Sequence, residues 1–121
     1  MAIVEDDPSM LGAVADLLDA HGITTVAFSS AEEFLAHGSA PGVDCLLLDI
    51  DLCGMSGIEL RRQLKISKSA LPIIFMTALD DGGVEQQALK AGCVALLRKP
   101  FSQDALIDAI RRAVPDVGVK F

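Results

Sequence analysis

The sequence predicts an α/β fold, a doubly wound parallel sheet of five strands covered by five helices. Three observations carry that expectation. Apolar or β-branched runs at Ala2–Val4, Thr24–Phe28, Cys45–Leu48, Ile73–Met76 and Val94–Leu97 begin about twenty to thirty residues apart, the spacing of strand–helix–strand units. Amphipathic helical patterns fill the intervals. The third run, Cys45-Leu46-Leu47-Leu48, is continuously apolar rather than alternating, as a central parallel strand buried on both faces should be.

Taken in order, the first strand turns acidic at Glu5-Asp6-Asp7. With Ser9 as the expected N-cap, Met10, Leu11, Val14, Leu17 and Leu18 then recur at helical spacing until Gly22 ends the helix. After the second strand, Ser30 caps a short helix whose Glu32 and Glu33 suit the positive end of a helix dipole. Ser56 opens the third helix with Ile58, Leu60 and Leu64 on one face. The fourth runs from about Gly83 to Ala91 and closes at Gly92. Ser102 caps the fifth, where Leu106, Ile110 and Ala113 share a face before Pro115 stops it. Right-handed crossovers give a doubly wound sheet. The expected strand order is 2-1-3-4-5.

At 121 residues, the whole of 1–121 reads as one domain, long enough to bury roughly two-thirds of the surface its unfolded chain exposes. Net charge is −7 and no basic stretch is denser than Arg61-Arg62 or Arg111-Arg112. Direct nucleic-acid binding is disfavoured, because phosphate contacts need clustered positive charge. No apolar run approaches the ~20 residues of a membrane span, and no secretory signal pattern is visible, so a cytoplasmic location is expected. Cys45, Cys53 and Cys93 form no CxxC pair and read as reduced thiols.

Ligands of open doubly wound sheets bind beyond the carboxyl ends of the strands. Strand one leads into Glu5-Asp6-Asp7, strand three into Asp49-Ile50-Asp51, strand four into Thr77-Ala78 and strand five into Lys99-Pro100. Neighbouring strands one and three thus bring carboxylates to one rim, with a hydroxyl and an ammonium nearby. Two carboxylates ~4 Å apart repel by roughly 4 kcal/mol at an effective dielectric near 20. A divalent cation relieves this, and an all-oxygen site suits Mg²⁺. One carboxylate can then act as a nucleophile toward phosphorus while Lys99 and Thr77 meet the phosphoryl oxygens. Individually these residues have plainer readings: an acidic helix start at 5–7, solvated loop acids at 49 and 51. Their coincidence on one rim carries the chemical reading.

These residues resemble the receiver domains of two-component response regulators over nearly the whole chain. The matching segments are Ile3-Val4-Glu5-Asp6-Asp7-Pro8, Leu47-Leu48-Asp49, Gly54-Met55-Ser56-Gly57, Ile73-Ile74-Phe75-Met76-Thr77-Ala78, Leu89-Lys90-Ala91-Gly92 and Lys99-Pro100-Phe101. The resemblance implies a flavodoxin-like fold in which Asp49 accepts a phosphoryl group from the phosphohistidine of a sensor histidine kinase or phosphotransfer protein. It further implies that Asp6 ligates Mg²⁺ directly, Glu5 acts nearby, and the main-chain carbonyl of Asp51 completes the protein ligands. Thr77 would bind a phosphoryl oxygen, Lys99 would pair with the phosphate, and the Lys99–Pro100 bond would be cis. The segments look most like receivers joined to helix-turn-helix regulators, and the implied activity is self-phosphorylation and dephosphorylation rather than turnover.

Three departures stand out. Glu5 replaces the more usual aspartate. Cys53 stands where proline is common. Leu96 occupies the switch position three residues before the lysine, where an aromatic is usual, and the chain has no Tyr or Trp. A switch would therefore work through aliphatic repacking at Leu96 or through the Asp80-Asp81-Gly82-Gly83 loop. Asp51 could place an attacking water that Leu79 could exclude.

The kinase is expected at the rim, near Met10, Leu11 and Val14, although Val14, Leu17 and Leu18 read first as core. The helix 4–strand 5–helix 5 face, with Arg98, Asp108, Arg111 and Arg112, is a candidate homodimer or output surface, or a set of solvated charges. A rival reading takes Asp49-Ile50-Asp51 as the DxD start of haloacid-dehalogenase phosphohydrolases, but that motif should follow the first strand. A third reading, a receiver-like scaffold that takes no phosphate, is opposed by the filled acid, hydroxyl and lysine positions.

Overall fold

Side chains alternate across a strand with a period of two, so a strand buried on both faces joins two separate cores. The computed structural model describes residues 1–37, 43–66, 71–78 and 82–115. Its strands are β1 (Ala2–Val4), β2 (Val26–Phe28), β3 (Leu46–Asp49), β4 (Ile73–Thr77) and β5 (Ala95–Arg98). They alternate with helices α1 (Pro8–Ala20), α2 (Ala31–His37), α3 (Gly57–Ile66), α4 (Gly82–Ala91) and α5 (Gln103–Ala113). The five strands form one parallel sheet in the order β2-β1-β3-β4-β5, as expected.

Leu46 and Leu48 of β3 pack with Val4, Ile73 and Phe75 against Phe34, Ile58, Leu60 and Ala88, on the side of α2, α3 and α4. Leu47 points the other way and joins Ile3, Ile74 and Met76 against Val14, Leu18, Leu106, Ile107 and Ile110 of α1 and α5. Each fully buried leucine stabilises the fold by about 1.5–3 kcal/mol relative to exposure. Phe28 and Phe34 meet edge-to-face with centroids 5.4 Å apart, tying α2 to the edge strand.

Helix ends follow local chemistry. Ser30, Ser56 and Ser102 each accept a hydrogen bond through Oγ from the backbone N–H three residues on, as their expected caps require. Ser9 does not cap α1. Pro8 takes the first helical position, where its missing N–H costs nothing, and this moves the cap to Asp7, whose side chain accepts from Ser9 N–H at 3.0 Å. At the other end Gly22 adopts φ 78°, with Gly22 N–H on Asp19 O and Ile23 N–H on Leu18 O. That pair of bonds needs the left-handed conformation glycine reaches without strain.

Strand boundaries also shift. Thr24 lies outside β2, whereas Asp49 and Thr77 are the last residues of β3 and β4 rather than the first beyond them. The register pairs Val4 with Leu48, Asp49 with Met76 and Thr77 with Arg98. Glu5 therefore stands level with Asp49, and Lys99 follows one residue beyond the partner of Thr77.

Candidate functional site

Register brings the strand ends together, and burial then determines their electrostatics. Glu5 is 1% exposed, Asp49 2% and Thr77 1%, all at the carboxyl rim of the sheet. Glu5, Asp6 and Asp49 each offer a carboxylate oxygen, and these oxygens lie within 4.8 Å of one another. Lys99 Nζ reaches into the group, donating to Glu5 Oε1 at 2.6 Å and to Asp49 Oδ2 at 3.1 Å.

One ammonium among three acids leaves an excess of negative charge. Burial, followed by a side-chain hydrogen bond to Asp49, pushes the Glu5 carboxyl up to about 7 despite the nearby Lys99. Burial alone would pull Lys99 down, but its hydrogen bond to Glu5 and the charge of Asp49 outweigh it and hold the ammonium above its ordinary value. Asp6 behaves differently. It is more open, and the Cys53 N–H donating to its Oδ2 at 3.0 Å holds its carboxyl below the usual value. The three acids are hard oxygen donors, close enough to share one small dication, so the residues present fit Mg²⁺.

The structure brings together Glu5, Asp6, Asp49 and Lys99, and it sets Thr77 and Asp51 beside them. The carboxylate of Asp51 is not part of the acidic group. It turns instead to β4, where Oδ2 accepts from Thr77 Oγ1 and from Ala78 N–H, each at 3.0 Å. The Asp51 N–H donates to Asp49 Oδ1 at 3.0 Å. Leu96 is not at the rim. It pairs with Phe75 and lies half-buried against the core on the α2–α3–α4 side. The Lys99–Pro100 peptide bond is cis, as expected. Leu79, Asp80 and Asp81 lie outside the described residues.

Other expectations are sorted by burial. Val14 and Leu18 are core residues, while Met10, Leu11 and Leu17 are half-buried. Arg98 pairs with Glu85 of α4 at 2.8 Å and Arg112 with Asp108 at 3.4 Å, so these charges of the candidate dimer face already have partners within the chain. Cys45, Cys53 and Cys93 are all free. Among the described residues no helix is long and apolar enough to cross a membrane.

Sequence reading missed three supports of the site. A Cβ at Gly57 would land on the carbonyl oxygen of Asp49, so the start of α3 packs directly on the backbone of the rim. Glu32 of α2 accepts from Met55 N–H at 2.9 Å and anchors the loop between β3 and α3. The third is the Asp51–Thr77–Ala78 contact. Gly57 had a signal, a glycine set directly between the Ser56 cap and the apolar Ile58. The other two depend on loop conformations that no residue pattern announces.

Comparison with known proteins bears on the family and the fold. The family model for the response regulator receiver domain matches residues 1–111. The response regulator protein TodT of Pseudomonas putida is 38% identical over 112 residues, covering 93% of this chain and 49% of that protein. Nodulation protein W of Bradyrhizobium diazoefficiens is 38% identical over 108 residues, covering 89% of this chain and 48% of its own length. The chain thus spans about half the length of these curated relatives. The crystal structure of FixJ-N superposes with a TM-score of 0.88 at 34% identity, covering 96% of this chain and 93% of that one. The structure of the response regulator StyR superposes at 0.86 with 39% identity, covering 94% and 58%.

Proposed function

Because the chain belongs to the response regulator receiver domain family of two-component systems, we propose that Asp49 is its phospho-acceptor and that Glu5, Asp6 and Asp49 form its Mg²⁺ site. The observation that supports this best is the sharing of one ammonium, Lys99 Nζ, between Glu5 at 2.6 Å and Asp49 at 3.1 Å, beside a third carboxylate from Asp6. Residues 1–121 act as a single receiver domain in this reading, a signalling unit and not a turnover enzyme.

In the proposed reaction a carboxylate oxygen of Asp49 attacks the phosphorus of a phosphohistidine on a histidine kinase or phosphotransfer protein. The O–P bond forms as the N–P bond breaks, and the electron pair of that bond returns to the imidazole nitrogen. Asp6, Asp49 and the main-chain carbonyl of Asp51 would hold Mg²⁺, with Glu5 nearby. When bound, the ion neutralises charge on the phosphoryl oxygens and on the acids around it. Lys99 moves from the carboxylates to a phosphoryl oxygen, and the Thr77 hydroxyl donates to another. The near-complete burial of Asp49 keeps its immediate surroundings low in water, which strengthens each of these contacts.

The donor protein would approach over the rim, where Met10 and Leu11 of α1 leave part of their apolar surface uncovered. A homodimer through the α4–β5–α5 face and a cytoplasmic setting complete the proposal, as does the absence of nucleic-acid binding by this domain, which its charge of −7 supports. Output would involve Thr77 and repacking at Leu96.

Intact-mass measurement after incubation with Mg²⁺ and acetyl phosphate tests the proposal. Wild type should gain one phosphoryl group only when metal is present, and Asp49→Asn should gain none. Equal labelling of the Asp49→Asn variant would reject the acceptor assignment.

A further inference from the structure

The two donors at the end of β4 are already engaged. The Thr77 hydroxyl and the Ala78 N–H both point at one anionic oxygen, Oδ2 of Asp51, at 3.0 Å each. Asp51 is itself tethered to the acceptor, through its N–H on Asp49 Oδ1 at 3.0 Å. The arrangement holds a negative oxygen beside Asp49 in a cradle made of one hydroxyl and one backbone amide. A phosphoryl oxygen on Asp49 would need the same cradle.

We propose that the Asp51 carboxylate is an internal stand-in for the phosphoryl group, holding Thr77 and Ala78 in the unphosphorylated chain and releasing them when Asp49 is modified. The inference rests on the phospho-acceptor reading and adds to it a side-chain role for Asp51, separate from its main-chain carbonyl. The two anions exclude each other for two reasons. Each donor has a single proton and serves one strong acceptor at a time. A phosphoryl group carrying a charge near −2 also repels a carboxylate two residues away. Asp51 is half-buried, not sealed, so its carboxylate has solvent to turn into when displaced. The exchange replaces one pair of charge-assisted hydrogen bonds by another. Asp51 thereby biases the resting conformation and lowers the apparent affinity for any group that must take its place.

Beryllium fluoride, which adds to a carboxylate as a tetrahedral phosphoryl mimic, is the probe. It is titrated at saturating Mg²⁺ into wild type, Asp51→Ala, Asp51→Asn and Asp49→Ala, with binding followed through the Ala78 amide resonance. Asp51→Ala should bind about tenfold more tightly or better, since two charge-assisted bonds no longer compete. Asp51→Asn, which keeps an acceptor oxygen but no charge, should fall between. In the unliganded Asp51→Ala protein the Ala78 amide should lose its hydrogen-bond shift and regain it at saturation, a change that a purely structural role would not produce. If Asp51→Ala fails to fold, Asp51→Asn decides alone: tighter binding than wild type supports the stand-in, equal or weaker binding overturns it. Binding that depends on Asp49 but is unchanged or weakened in the Asp51 variants overturns the stand-in and leaves the acceptor reading intact. Binding that survives Asp49→Ala, or fails in wild type, overturns both.

Discussion

Leu48 and Asp49 are neighbours on one strand and nearly equally buried, at 0% and 2% exposure, yet they belong to regions that obey opposite rules. Leu48 lies in the sheet interior, within a cluster of buried apolar side chains, where burial stabilises the fold. Asp49 lies at the rim, where burial of a carboxylate is costly and is offset by one shared lysine. The interior is arranged for stability and the rim is held in place by it. The difference teaches that the rim holds acids close against their mutual repulsion, on strands whose register the core fixes, and the proposed reactivity rests on that closeness.

If that division is right, substitutions in the two regions should differ in sign as well as size. Phe75→Ala, in the interior, should cost about 3–5 kcal/mol in urea unfolding. A loss below about 1 kcal/mol would mean that the core does not fix the register of β3 against β4. Mg²⁺ at a hundredfold excess over its dissociation constant should raise wild-type stability by about 2.7 kcal/mol. The same addition to Asp6→Ala should give a much smaller rise, and an undiminished one would place the ion elsewhere. Gly57→Ala joins the two regions, because its methyl group must displace the Asp49 carbonyl. It should cost roughly 1–3 kcal/mol and weaken Mg²⁺ binding together with stability. Asp49→Asn should show the opposite sign in metal-free protein, a gain of about 1 kcal/mol, since it removes one of two acids sharing Lys99. Loss of stability in that variant would show that the ion pair outweighs the repulsion between Glu5 and Asp49.

The interior was largely legible in the sequence. The continuous Leu46-Leu47-Leu48 run, the spacing of the apolar segments and the serine caps at 30, 56 and 102 are local signals, and the structure follows them. The start of α1 was misread because Pro8 and Ser9 both carry start signals, and proline at the first helical position hands the cap to Asp7. At the rim the sequence supplied residue types but not orientations. That Glu5, Asp6, Asp49 and Lys99 converge follows from strand order and register. That Asp51 turns to Thr77 instead of toward Asp6 depends on the path of a few loop residues. So does the packing of Gly57 on Asp49, which no pattern of apolar spacing encodes.

Asp49, and not another acid of the same cluster, is the proposed dication-dependent nucleophile. Treatment with acetyl phosphate and Mg²⁺ followed by borohydride reduction converts an aspartyl phosphate into homoserine, which peptide mass spectrometry can place along the chain. Homoserine should appear at position 49 and only in samples that contained Mg²⁺. Its appearance at position 6 or 51, or equal conversion at 49 without metal, would contradict the account.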